Sequence, residues 1–203
     1  TTATRDAVFT TFNNWKEKGG DIETGLLMSS SKPAPVTLSI NAPDEPIVIT
    51  KNQFGDDQAQ SFTVAVQARN TGSGYLKGAK LNYIELCYDE TLLVPVFDEN
   101  SDDVKVKDFV NCLKSTDPCC TDLRAAGSDD NRCLCVPSSE DQIDPKLKMI
   151  GITNQWRDVS AIFKTKVIDG NSVILVQDIA NFGATIEYTY MNDESTQLTL
   201  TSK

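Results

Sequence analysis

Histidine is missing from all 203 residues. Its absence removes the commonest general base, every imidazole-dependent triad, the histidine-containing zinc hydrolase sites and the His-x-Glu deaminase pattern. Apolar runs are short, and none approaches the roughly 20 residues that a bilayer-spanning helix needs. No basic stretch leading into an apolar core marks a signal peptide at the start, so an exported protein would already have lost its signal. Positive charge is scarce too: 19 Lys and Arg stand against 29 Asp and Glu, for a net charge of −10. Such a chain repels nucleic-acid phosphates and anionic membrane surfaces, and neither is expected as a partner. There is no Asn-x-Ser/Thr sequon and no Cys-x-x-Cys knuckle.

What is present is a chain long enough for one sizeable domain, with 39% hydrophobic residues. Helical periodicity is weak, while short alternating or β-branched runs recur between turn residues. PVTLSI (35–40), EPIVIT (45–50), SFTVAVQARN (61–70), AKLNYIELCYD (79–89) and LLVPVF (92–97) read as strands. So do KMIGIT (148–153), SAIFKTKVI (160–168), SVILVQDI (172–179), TIEYTY (185–190) and QLTLTS (197–202). APDEP, NTGSG, DGN and NFG between them supply proline at a preset φ and glycine or asparagine for positive φ. In the third run Phe62, Val64 and Val66 alternate with Thr63, Ala65 and Gln67, as a half-buried strand requires. The expected fold is all-β, an antiparallel β-sandwich of immunoglobulin or jelly-roll type.

Residues 98–145 break the rhythm. They are acidic and turn-rich, and Cys112, Cys119, Cys120, Cys133 and Cys135 fall among them, with Cys87 on a preceding strand. The stretch reads as an excursion from the sandwich, stapled internally, with a short helix near DDVKVKDFVNCLK. An even count of six cysteines fits disulfides in an oxidising compartment; a metal site or partly free thiols are the alternatives, and spacing does not select one of the 15 pairings. Asp98, Asn100 and Asp102 alternate as calcium ligands would, but the glycine and final glutamate of an EF-hand are missing, and a solvated acidic loop is the competing reading. No other metal and no cofactor is expected. Carboxylates are so numerous that chance pairs carry no catalytic meaning, and the chain reads as a non-enzyme.

The opening run is β-prone, with Ala7, Val8, Phe9, Phe12 and Trp15 among threonines, and it passes into Lys-Glu-Lys-Gly-Gly. TFNNWKEKGGDIETGLLMSS, then VTLSI, then FTVAVQARNTGSGYLKGAKLNY, follow in an order that resembles the TasA/camelysin family of secreted filament-forming matrix proteins, and within it the archaeal bundling-pilus subunits. Phe12, Asn13, Asn14, Ile22, Gly25, Leu26, Met28, Phe62, Val64, Val66, Asn70, Gly72 and Ser73 carry the resemblance, across roughly the first ninety positions. QFGDDQAQ stands where that family has a Pro-Gly turn, and the cysteine-rich insert departs from its pattern. The metalloprotease activity ascribed to some members is not carried over to a chain without histidine.

The resemblance implies donor-strand assembly, in which residues 1–15 leave a β-sandwich body of residues 16–203 and complete the sheet of the next copy. Gly19 and Gly20 would form the hinge. Burial of Val8, Phe9 and Phe12 would contribute roughly 1.5 to 3 kcal/mol each. The expected function is a structural subunit of an extracellular or cell-surface filament whose partners are copies of itself. Two alternatives stand beside it: residues 1–15 fold back as an ordinary edge strand of their own domain, or the chain is a monomeric cell-surface binding module of immunoglobulin type with the insert as recognition loop.

Overall fold

The computed structural model describes residues 1–20, 30–31, 34–43, 46–73, 75–76, 83–97, 105–112, 119–120, 133–136 and 156–191. The chain begins with β1 (Thr2–Thr11) and α1 (Phe12–Glu17), followed by β2 (Ser30–Ser31), β3 (Val36–Asn41), β4 (Ile47–Ile49), β5 (Ser61–Asn70), β6 (Tyr75–Leu76), β7 (Tyr83–Tyr88) and β8 (Leu93–Pro95). Then come β9 (Lys105–Val106), β10 (Phe109–Asn111), β11 (Cys133–Cys135), β12 (Trp156–Thr165), β13 (Val167–Ile168), β14 (Asn171–Ser172), β15 (Gln177–Glu187) and β16 (Tyr190–Met191).

Two sheets make the sandwich. The larger runs β2-β1-β15-β7-β11-β10-β9, with β4 alongside β1, and the smaller runs β3-β5-β12-β8. Alternation decides which face is inward: Val64, Val66 and Ala68 of β5 are buried while their neighbours are half-buried or exposed. Leu38 and Ile40 of β3, Ala161 and Phe163 of β12, Leu86 and Tyr88 of β7, and Ala180, Phe182 and Ala184 of β15 complete the same core. At its centre an aromatic cluster joins the sheets. Phe62 packs against Phe9, Phe163 and Phe182 at ring separations of 5.6, 6.2 and 6.3 Å, and Phe163 meets Tyr88 at 5.0 Å. Tilted, edge-on and stacked pairs of this kind stabilise beyond the area they bury.

Several expectations hold. The runs 45–50 and 61–70 contain β4 and β5, the run 35–40 covers β3 but for its last residue, and Asp169-Gly170-Asn171 is a turn in which Asp169 and Gly170 both take positive φ, 49° and 74°. Others are corrected. NFG is no turn: Asn181, Phe182 and Gly183 lie inside β15, paired with β1 on one side and, from Phe182 onward, with β7 on the other, which makes an extended backbone there the better use of its hydrogen bonds. The run 172–179 is not one strand, since residues 173–176 separate β14 from β15. Near DDVKVKDFVNCLK the described residues form the hairpin β9–β10 rather than a helix, with Lys107 at φ 55° in its turn. The insert is therefore not simply an excursion, because β9, β10 and β11 extend the larger sheet beyond β7. The runs 148–153 and 197–202 lie outside the described residues.

Candidate functional site: the first strand and its slot

Thr2–Thr11 form a strand within their own domain. β1 pairs antiparallel with β15 over nine residue pairs, from Thr2 opposite Thr185 to Thr10 opposite Gln177. On its other side Phe9, Thr10 and Thr11 pair in parallel with Ile47, Val48 and Ile49 of β4, and Ala3 and Thr4 pair with β2. At both ends, then, β1 occupies a slot between neighbours, which is more than the edge position expected of a strand folded back on its own body. Ala3, Ala7 and Phe9 face the core, and Val8, on the opposite face, is buried as well.

The strand ends at a definite chemical boundary. Thr10 is fully buried; its hydroxyl donates to the Val176 carbonyl at 3.1 Å and accepts from the Asn14 side-chain amide at 2.9 Å. The Thr11 N–H also donates to Val176, and the Thr11 hydroxyl caps α1 by accepting from the Asn14 N–H. Helix α1 closes with Gly20 N–H donating to the Trp15 carbonyl, and Gly19 and Gly20 take φ of 66° and 84°, a conformation glycine adopts without a Cβ penalty.

The five candidate interface residues are thus divided. Ala7, Val8 and Phe9 are buried in β1, whereas Phe12 and Trp15 sit on α1, 45% and 36% exposed, with rings stacked 6.0 Å apart. The expectation that residues 12–15 continue the strand is corrected: the Thr11 cap and the two glycines bound a helix, and the i, i+3 aromatic pair stacks on its surface. That boundary was legible as a threonine three residues before Asn14 and a Gly-Gly stop, but the apolar run around it obscured the signal. Beside α1 lies a cleft of about 450 Å³ lined by Phe12, Ile49, Lys51, Ile174 and Leu175, among others. Leu175 and Val176 are exposed on its rim.

All six cysteines are bonded: Cys87–Cys133, Cys112–Cys120 and Cys119–Cys135. Two bridges staple the insert internally, as expected, and the third ties it to β7. Cys112, Cys119, Cys120 and Cys135 are fully buried in one cluster with Val110 beside them. Glu85, Cys87 and Cys133 place a carboxylate oxygen and two sulfurs within 4.8 Å of one another, a juxtaposition across strands that linear spacing did not reveal. The calcium candidates Asp98, Asn100 and Asp102 lie outside the described residues, as do Ile22, Gly25, Leu26 and Met28. Among the described residues no helix is long and apolar enough to cross a membrane. No family model matches the sequence, and no curated protein and no solved structure matches it.

Proposed function

We propose that the protein is a non-enzymatic structural subunit of an extracellular or cell-surface filament, in which β1 of one copy fills the slot between β15 and β4 of the next. The observation that carries the proposal is the slot itself. β1 enters it as one separable piece, anchored by Ala3, Ala7, Val8 and Phe9, and followed by a helix with no buried residue and by two glycines of positive φ. The same register is available to β1 of a second copy without a change in either sheet, which is the economy of domain swapping. A swap of this kind passed head to tail does not close, so it grows as a fibre. Within one chain the tether holds β1 at an effective concentration of about millimolar, so exchange is favoured only at high subunit density. Three disulfides suit an oxidising compartment, and this supports a location outside the cell.

The nine-residue pairing of β1 with β15 inside its own chain favours a second reading, a monomeric cell-surface binding module. Negative-stain electron microscopy of the concentrated protein separates the two. Filaments are expected from the full chain and none from a chain lacking residues 1–12, which should instead take up an added peptide of that sequence. Dispersed particles of the full chain at every concentration, or filaments from the truncated one, would overturn the filament reading.

A further inference from the structure

Strand β7 is buried on both faces. Ile84, Leu86 and Tyr88 point into the sandwich, and between them Glu85, 4% exposed, and the half-buried Cys87 point away from it. On β11, Cys133 stands directly opposite Cys87 and Cys135 opposite Glu85, so the outer face carries a two-by-two block of one carboxylate and three sulfurs. The Glu85 Oε1 lies 3.0 Å from the Cys87 Sγ. On the other side of Cys87, β15 presents Gly183, and a Cβ built there would meet nothing within 4 Å. Among the described residues, the ground beside the sulfur pair is therefore open on the side away from Cys133.

We propose that Glu85, Cys87 and Cys133 form a redox-gated site for a thiophilic divalent cation, of which zinc is the chemical type, available when the Cys87–Cys133 bond is reduced. A sulfur bonded to another sulfur is a poor ligand, whereas a thiolate is a strong one, so the disulfide and the metal exclude each other. Two thiolates and a carboxylate select zinc over calcium or magnesium, which take oxygen ligands almost alone. Tetrahedral zinc with bonds of about 2.3 Å to sulfur separates its ligands by about 3.8 Å. The three donor atoms lie within 4.8 Å of one another while the two sulfurs are still bonded, so the sulfurs must draw apart to that spacing once the bond is reduced. The fourth position would hold water, over Gly183.

The chemistry balances with a dithiol reductant. It transfers two electrons and two protons to the Cys87–Cys133 bond and leaves as its own disulfide; zinc then displaces both thiol protons to solvent. The metal in the reduced chain thereby joins the same two strands, β7 and β11, that the disulfide joins in the oxidised chain. Oxidation releases the ion and leaves the staple.

Alkylation of the full-length native chain tests this. The protein is reduced with a phosphine, freed of it without air, and treated with iodoacetamide with and without zinc ion, the modified cysteines being mapped by mass spectrometry. Cys87 and Cys133 are expected to react about tenfold or more slowly with zinc present, and Glu85→Gln should remove most of that protection. Equal rates with and without zinc would overturn the site, as would protection confined to Cys112, Cys119, Cys120 and Cys135, or full protection in the Glu85→Gln chain. A reduced chain that loses its β-sheet circular dichroism and does not regain it with zinc would overturn it as well; recovery with zinc would support it.

Discussion

Phe9→Ala should be among the most destabilising changes at the start of the chain, while Phe12→Ala, three residues later, should do little. Phe9 has no solvent exposure and packs 5.6 Å from Phe62 of the facing sheet, at the middle of the aromatic cluster. Truncating a core phenylalanine costs about 3 to 5 kcal/mol, through lost transfer energy and the cavity left behind. With a urea dependence near 2 kcal/mol per molar, the midpoint should fall by about 2 M. Phe12 is 45% exposed and its ring stacks on Trp15. Its removal should cost about 0.5 kcal/mol, or a midpoint shift of about 0.25 M. Urea denaturation followed by far-ultraviolet circular dichroism measures both without relying on Trp15 emission, which the second change would itself alter. A cost below about 1 kcal/mol for Phe9→Ala would show that β1 does not sit in its own sheet in solution. Equal costs for the two would show that the strand does not end at Thr11.

Burial of Tyr88, with the Glu90 carboxylate adding to it, pushes its phenol up to about 12. The fold thus favours the neutral phenol, so this contribution to stability should be complete below about pH 10 and lost as pH rises from there through about 12. Urea midpoints taken across that range should fall, and Tyr88→Phe should remove this part of the fall; phenolate absorbance showing Tyr88 ionised near pH 10 would refute it. At Gly72 a Cβ would overlap the Tyr190 hydroxyl and come within 3.0 Å of Pro35, so Gly72→Ala should cost about 1 to 3 kcal/mol in urea denaturation. Gly183→Ala, with no described residue within 4 Å of the added Cβ, should cost less than Gly72→Ala in the same assay, and the reverse order would contradict the packing. Removing Cys87–Cys133, which spans 46 residues, should cost about 4 kcal/mol in the chain-entropy account, against about 2.5 kcal/mol for Cys112–Cys120, which spans 8. Thermal midpoints of the two double-alanine variants should rank in that order, and the opposite ranking would place the main constraint inside the insert.

What the sequence determined by itself was local. Alternation with period two in Phe62, Val64 and Val66 already stated which side of β5 faces inward, because successive side chains on a strand point to opposite faces. Asp-Gly-Asn at 169–171 already stated a tight turn, because few other residues accept positive φ there. The six cysteines implied an oxidised, stapled insert, and the missing histidine excluded imidazole as a base or ligand. Only the tertiary structure decided what depends on neighbours far along the chain. Asn181-Phe182-Gly183 looks like a turn in isolation and is a strand because β1 and β7 flank it. Phe9 and Phe12 look alike in the sequence, and one is core while the other is surface because a buried threonine hydrogen-bonded to Val176 marks where the strand ends. The pairing of Cys87 with Cys133, and the carboxylate of Glu85 beside them, follow from the register between β7 and β11. Register is a property of two strands together, and neither strand's sequence contains it alone.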